Sequence, residues 1–193
     1  MKRICVFLGS SGGLRPDYTE AARQLGRELV RRNLGLVYGG ANLGLMKILA
    51  DTVLAEGGEV IGVIPQVLVE KEIAHQGLTE LRVVGLMHER KAMMADLADG
   101  FIALPGGLGT FEEFFEVLTW AQLGLHAKPC GLLDVCGYFS HLIEFLDHAV
   151  DERFLRQENR DLLIWATEPS KLLDLFETYR PSPVPKWIDR DQA

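Results

Sequence analysis

Short apolar runs alternate along this chain with longer stretches in which apolar residues recur at helical spacing. The short runs predict seven β-strands: Arg3–Gly9, Leu34–Tyr38, Glu59–Ile64, Glu80–Val84, Phe101–Leu104, Pro129–Leu133 and Leu162–Trp165. The amphipathic stretches predict six helices: Asp17–Arg32, Leu43–Glu56, His88–Ala98, Phe111–Gly124, Tyr138–Glu152 and Pro169–Tyr179. Strand-helix alternation of this kind predicts an α/β fold, a parallel sheet covered by helices on both faces. Such sheets bind ligands at the carboxyl ends of their strands.

The alternation continues almost to the end of the 193-residue chain, a length that fits one domain. We therefore expect a single domain over residues 1–179 and a C-terminal tail over residues 180–193, where PSPVP interrupts the pattern. The chain has no apolar run of about 18 residues, and its first residues begin a strand pattern, not a signal peptide. These features predict a cytoplasmic protein with no membrane partner.

The charge and the metal-binding residue types exclude several classes of protein. Twenty basic and 27 acidic residues give a net charge of −7, and without a run of Lys and Arg we expect no nucleic-acid partner. No HExxH motif and no Cys/His cluster with metal-ligand spacing occurs, so the sequence implies neither a metal nor a cofactor. A small anionic ligand needs only a local cationic pocket, which the net charge allows.

Three glycine-rich turns follow predicted strands, at Gly9–Gly13 (GSSGG), Gly39–Gly44 (GGANLG) and Pro105–Thr110 (PGGLGT). Glycine lets backbone N–H groups approach an anion closely, and a helix N-terminus adds partial positive charge. One such turn would be explained by chain reversal alone, but three in one domain favour a shared crevice for a phosphate group. The absence of GxxxxGK[ST] disfavours a P-loop NTPase. The first turn is not GxGxxG and the second strand ends without a ribose-binding acid, which disfavours NAD chemistry.

Two charged segments near these turns allow two interpretations each. Arg90 and Lys91 lie near the start of a predicted helix, where cations oppose the helix dipole, so they indicate either a bound anion or a solvated face. Thr110 and Glu113 fit the [ST]-x-x-[DE] capping box, which predicts a helix start. Glu113 would also lie close to a bound sugar phosphate, where a carboxylate can stabilise an oxocarbenium-like transition state.

Three motifs together resemble the LONELY GUY family: VYGGANLGLM at Val37–Met46, MHERKAMM at Met87–Met94 and PGGLGTFEE at Pro105–Glu113. The resemblance extends over about residues 2–179. It implies a Rossmann-like doubly wound parallel sheet, a homodimer and cytokinin riboside 5'-monophosphate phosphoribohydrolase activity. That activity cleaves the N-glycosidic bond of an adenine-type nucleoside monophosphate. An older label for the family is lysine decarboxylase. The sequence does not support this label, because no lysine stands out in a setting typical of pyridoxal chemistry.

The resemblance also implies roles for particular residues. The family's catalytic pair corresponds to Arg90 and Glu113. Its substrate-binding positions correspond to Glu72, Arg90, Lys91, Gly107, Leu108, Gly109, Thr110, Phe111, Glu112, Glu113 and Thr119. The roles of Glu72 and Thr119 depend on the resemblance alone. Two alternative functions remain: a non-catalytic Rossmann-like protein that binds a phosphorylated cofactor, with Glu113 as a helix cap, and a general AMP nucleosidase.

The predicted helix after the third glycine turn is apolar on more than one side, which adds limited support to a homodimer. Its apolar residues are Phe114, Phe115, Val117, Leu118, Trp120, Ala121 and Leu123. A helix of this kind must be covered on a second side, by a partner subunit, by the helix predicted at 138–152 or by the C-terminal tail.

Overall fold

The computed structural model describes residues 1–71 and 73–180, so Glu72 and nearly all of the predicted tail lie outside the described residues. Within those ranges the chain forms seven strands and eight α-helices. The strands are β1 (Arg3–Phe7), β2 (Gly35–Tyr38), β3 (Val60–Pro65), β4 (Glu80–Val84), β5 (Gly100–Ala103), β6 (Cys130–Leu133) and β7 (Leu163–Ala166). The helices are α1 (Pro16–Arg31), α2 (Gly44–Ala55), α3 (Gln66–Val69), α4 (Met87–Leu97), α5 (Leu108–Gln122), α6 (Ser140–Asp151), α7 (Gln157–Arg160) and α8 (Pro169–Thr178).

All seven predicted strands and all six predicted helices are confirmed, with small differences at their ends. The two additional helices, α3 and α7, have four residues each, too few for a helical period to appear in the sequence. One prediction of a helix start is wrong: α5 begins at Leu108, with Gly107 as its N-cap residue. Thr110 is therefore a buried residue of the first turn, and Thr110 and Glu113 do not form a capping box.

All strands pair in parallel, in the order β4-β3-β2-β1-β5-β6-β7. The chain winds outward from β1 to β4, returns to place β5 beside β1, and then winds outward in the other direction. The strand order thus reverses between β1 and β5, and in doubly wound sheets ligands bind outside the carboxyl ends of the strands at this point. Two of the glycine-rich turns follow these two strands directly.

Two apolar cores cover the two faces of the sheet. Alternate residues of β1 point to opposite faces, so Ile4 and Val6 pack in one core while Cys5 and Phe7 pack in the other. The first core is covered by α1, α2 and α8, and the second by α4, α5 and α6. Burial on both faces explains why the inner strands appear as continuous apolar runs. None of the helices in residues 1–71 and 73–180 is long and apolar enough to cross a membrane.

Candidate active site

A cavity of about 450 Å³ opens at the carboxyl end of the sheet, beside the point where the strand order reverses. All three glycine-rich turns contribute to its wall, as the sequence predicts for a shared crevice. The lining residues are Val6, Phe7, Leu8, Gly9, Ser10, Gly39, Ala41, Leu43, Met46, Leu68, Ile73, Arg90, Gly107, Leu108, Gly109, Thr110 and Glu113.

Backbone hydrogen bonds join the glycine-rich turns to one another. The Gly9 N–H donates to the Pro105 carbonyl at 3.1 Å, which connects the turn after β1 to the turn after β5. The Leu45 N–H at the start of α2 donates to the Gly9 carbonyl at 3.1 Å. The three turns therefore form one hydrogen-bonded rim around the cavity.

Arg90 and Glu113 form a buried ion pair on the cavity wall. Arg90 is the fourth residue of α4 and Glu113 the sixth residue of α5. The Arg90 Nη1 donates to Glu113 Oε1 at 2.6 Å, and both side chains are only 12–13% exposed. The Arg90 Nε also donates to the carbonyl of Val63, in β3, at 3.0 Å. These contacts fix the guanidinium group between the sheet and the carboxylate.

Gly39 is the residue that leaves space for this guanidinium group. A Cβ at position 39 would collide with Nη2 of Arg90. Gly39 adopts an ordinary φ, so the glycine is required here for close approach and not for a left-handed conformation. The second glycine-rich turn therefore positions Arg90 in addition to lining the cavity.

The environment of Glu113 favours its protonated form more than water does. Burial raises the pKa of the Glu113 carboxyl above its usual range, the positive charge of Arg90 opposes that rise, and the charge of Glu112 adds to it. The result is a carboxyl group with a raised pKa in a cleft, a feature common at catalytic sites.

The third glycine-rich turn brings the N-terminus of α5 to the cavity. The first N–H groups of a helix have no acceptor within the helix, so those of the first turn can bind an anion. A Cβ added at Gly107 or Gly109 would face open space, whereas one at Gly106 would collide with the Thr110 side chain and approach the Gly9 nitrogen to 2.9 Å. Gly106 therefore permits the tight packing of the turn, and Gly107 and Gly109 leave the backbone accessible.

Of the predicted substrate-binding residues, six line this cavity: Arg90, Gly107, Leu108, Gly109, Thr110 and Glu113. Four others are described and lie outside its lining: Lys91, Phe111, Glu112 and Thr119. Their contact with a substrate remains a prediction, as does that of Glu72, which lies outside the described residues.

Three of these four residues have neighbours that explain their positions. Lys91 forms ion pairs with Glu112 at 2.5 Å and Glu116 at 3.0 Å, outside the lining of the cavity. Carboxylates of α5 thus balance both Arg90 and Lys91, so a bound anion is not needed to explain these cations. The exposed Thr119 donates its hydroxyl to the Phe115 carbonyl at 2.7 Å.

One apolar part of the cavity wall is absent from the predicted substrate-binding residues. Leu43 and Met46 belong to the second glycine-rich motif, which could have identified them. Leu68 and Ile73 carry no local signal, because the segment after β3 reaches the cavity only through tertiary pairing. The Asn42 N–H donates to the Ile73 carbonyl at 2.8 Å and so connects this segment to the second turn.

The fold and the cavity define a Rossmann-like α/β protein with an anion-compatible helix N-terminus beside a buried arginine-carboxylate pair. Comparison with solved structures agrees with this fold. The molybdenum cofactor binding protein of Rippkaea orientalis superposes with a TM-score of 0.68 at 22% identity, over 92% of this chain and 97% of that one. The molybdenum cofactor carrier protein of Chlamydomonas reinhardtii gives a TM-score of 0.69 at 19% identity, over 92% and 96% of the two chains. At such identities the similarity concerns the fold alone.

Sequence comparison identifies the family. Residues 46–176 match a family model described as possible lysine decarboxylase. Cytokinin riboside 5'-monophosphate phosphoribohydrolase LOG7 of Arabidopsis thaliana is 52% identical over 180 residues, covering 93% of this chain and 83% of the relative. LOG1 of the same plant is 50% identical over 180 residues, covering 93% and 84%. The chain belongs to the LONELY GUY family of phosphoribohydrolases, and the resemblance predicted from its motifs is confirmed.

Proposed function

We propose that this protein hydrolyses the N-glycosidic bond of adenine-type nucleoside 5'-monophosphates, releasing the free base and ribose 5-phosphate. The substrates are N6-substituted AMP, the class named for its relatives, and AMP itself. The observation that supports this most strongly is the Arg90–Glu113 pair in the same cavity as the N-terminus of α5. The ion pair can act on the ribose while the N-terminus of α5 binds the phosphate.

The phosphate occupies the first turn of α5, where Leu108, Gly109 and Thr110 offer their backbone N–H groups. Charge-assisted hydrogen bonds contribute roughly 1.5–3 kcal/mol each, so about four of them give ~6–12 kcal/mol before other costs. A five-carbon isoprenoid substituent adds only ~4 kcal/mol, at about 0.8 kcal/mol per buried CH₂. Phosphate recognition therefore dominates binding, and the choice of base substituent is a secondary preference.

Hydrolysis breaks the bond between the ribose C1' and the base nitrogen, whose electron pair leaves with the base. In its ionised form Glu113 stabilises the positive charge that develops on the ribose ring and orients the attacking water. The water oxygen bonds to C1', one of its protons remains on the ribose as the new hydroxyl, and the other passes through Glu113 and solvent to the departing base, which leaves as the neutral free base. Arg90 holds the carboxylate and aligns the substrate. The proposed reaction uses no metal and no cofactor.

The apolar wall of the cavity receives the base and its substituent. Leu43, Met46, Leu68 and Ile73 provide a surface that suits a planar base and a short hydrocarbon chain. This wall lies in the same cavity as the ion pair, which fits a substrate with a polar and an apolar end.

A non-catalytic binding protein would use Glu113 as a helix cap. Gly107 occupies the N-cap position of α5, and Glu113 lies further along the helix against Arg90. This arrangement favours a catalytic role for the carboxylate. A general AMP nucleosidase differs from the proposed enzyme only in its preference for the base.

Parallel incubation with AMP and N6-isopentenyl-AMP, followed by chromatography of the free bases, tests the proposal. We expect free base from both substrates and a higher kcat/KM for the isopentenyl form. Equal values would identify a general AMP nucleosidase. No free base from either substrate would contradict the proposed hydrolase.

The proposed enzyme is a cytoplasmic homodimer. Three residues of α5 and Leu123 just after it are only partly buried by the described part of the chain, which leaves an apolar surface for a second subunit. The three residues are Phe115, Leu118 and Trp120. Light scattering at micromolar concentration tests the dimer, because a mass near 21.5 kDa would identify a monomer. Fluorescence imaging of a tagged chain in its native cell tests the compartment.

A further inference from the structure

We propose that Tyr138 is a positioning residue for phosphate binding: its hydroxyl holds the Gly106 carbonyl, which aims the Gly107 N–H at the substrate. This inference depends on the proposed function, because it assigns the donor that receives the phosphate of the same substrate. The Tyr138 hydroxyl donates to the Gly106 oxygen at 2.5 Å, across 32 residues of sequence.

Because Gly106 and Gly107 share one planar peptide group, the contact of Tyr138 with the Gly106 carbonyl also fixes the direction of the Gly107 N–H. In a trans peptide the C=O and N–H bonds point in opposite directions. The Gly106 carbonyl points toward Tyr138, so the Gly107 N–H points away from Tyr138. Gly106 lines a smaller cavity of about 240 Å³ together with Tyr138, whereas Gly107 borders both this cavity and the larger one. The Gly107 N–H therefore faces the larger cavity, where it joins the first-turn donors of α5.

The turn after β5 needs such a contact because it contains two adjacent glycines, Gly106 and Gly107. Glycine has access to many backbone conformations, so the peptide between two glycines rotates at little steric cost. The Gly9 N–H holds the preceding carbonyl, that of Pro105, at 3.1 Å. Tyr138 holds the following carbonyl, that of Gly106. A rotated peptide would present the Gly106 oxygen to an anion, where it would repel the phosphate.

The segment that carries Tyr138 is itself held in place. Asp134, buried at the end of β6, accepts a hydrogen bond from the Phe139 N–H at 2.6 Å and one from the Ser140 hydroxyl at 3.1 Å. The chain reverses through Cys136 and Gly137, which both have positive φ angles, 54° and 71°. A non-glycine residue in this conformation persists only where its surroundings require it. The reversal places Tyr138 over the glycine-rich turn.

Tyr138→Phe removes the hydroxyl and keeps the ring, which packs edge-on against Tyr18 with centroids 5.8 Å apart. Tyr18→Phe is the matched control, because within the described residues the Tyr18 hydroxyl forms no hydrogen bond. Isothermal titration calorimetry measures the affinities of both variants for ribose 5-phosphate and, separately, for adenine.

We expect Tyr138→Phe to bind ribose 5-phosphate about tenfold more weakly, the effect of losing one charge-assisted donor, and to bind adenine normally. Its KM for AMP should rise more than its kcat falls. Tyr18→Phe should match the wild-type protein with both ligands. Unchanged binding of ribose 5-phosphate by Tyr138→Phe would overturn the inference, and so would an equal loss with both ligands, which indicates general damage. A wild-type protein that binds ribose 5-phosphate but releases no base from AMP would contradict the proposed function and leave this comparison valid.

Discussion

Three ion pairs lie side by side between α4 and α5: an inner pair formed by Arg90, and an outer set of two formed by its neighbour Lys91. Arg90 pairs with Glu113 on the cavity wall, while Lys91 pairs with Glu112 and Glu116 outside the lining of the cavity. Successive residues of a helix point about 100° apart, so one step along each helix separates the inner pair from the outer set.

The inner and outer contacts differ in how they shift the pKa of Glu113 and of Lys91. Partial burial lowers the pKa of Lys91, but its hydrogen bonds to Glu112 and Glu116 raise that pKa overall, so the outer contacts stabilise the charged form. At the inner pair burial outweighs the attraction of Arg90, and the pKa of Glu113 is raised. Similar contacts therefore produce a stabilised charge on Lys91 and a carboxylate of increased basicity on Glu113 in the cavity. The comparison teaches that the balance of burial against pairing distinguishes the candidate catalytic group, because two carboxylates offset the burial of Lys91 and one arginine does not offset that of Glu113.

The largest expected effect comes from removing the substrate's phosphate, because the inner pair can act only on a substrate held at α5. We expect adenosine to be cleaved with a kcat/KM more than 10⁴-fold below that of AMP, since about 6 kcal/mol of binding is lost. Initial rates of adenine release from both substrates measure the ratio. Equal rates would contradict the phosphate-binding role of the glycine-rich turn.

Glu113→Gln tests the inner pair directly. The amide keeps the shape of the side chain and removes its charge, so we expect kcat to fall by at least about a hundredfold while nucleotide affinity is largely kept. Glu116→Gln changes the outer set in the same way and should keep near-normal turnover. Similar losses in the two variants, or normal turnover in Glu113→Gln, would remove the distinction between the pairs.

The role of Arg90 can be tested by replacing Arg90 itself and by replacing Gly39, which leaves space for its guanidinium group. Arg90→Ala should reduce both affinity and turnover, because in the proposed mechanism the guanidinium contacts the substrate in the ground state and the transition state. Gly39→Ala should cause a smaller loss of the same kind, about tenfold in kcat/KM, because the added methyl group displaces the guanidinium without removing it. Gly77→Ala, where a Cβ has its nearest neighbour at 3.4 Å, is the control. Full activity of Gly39→Ala would show that the position of Arg90 is not critical.

The smallest expected effect is a displaced acid limb in the pH profile. In the proposed mechanism the ionised form of Glu113 is the active one, so activity should rise with pH as this carboxyl loses its proton. Because its pKa is raised, the limb should lie above the ordinary glutamate value of about 4.3. The residual activity of Glu113→Gln should lack this limb and retain any limb that the substrate phosphate causes. An identical acid limb in both proteins would assign it to the substrate.

The amino-acid sequence by itself determined the strands, the longer helices and the three glycine-rich turns. Their signals are local, since hydrophobic period identifies an element and glycine identifies the turn that follows it. Its motifs also identified the family and, through it, Arg90 and Glu113 as the candidate catalytic pair. The predicted start of α5 is wrong because Thr110 and Glu113 fit a capping box in the sequence. In the structure α5 begins at Leu108, two residues before Thr110, and this threonine is buried in the first turn against Gly106.

Only the tertiary structure decided which charges meet. Arg90 and Glu113 are 23 residues apart, and their contact depends on how α4 and α5 pack on the sheet. The same is true of the space at Gly39, of Ile73 on the cavity wall and of the Tyr138 contact with Gly106. Each depends on distances between separate elements and on burial from water, and neither quantity is encoded in the local pattern of residues.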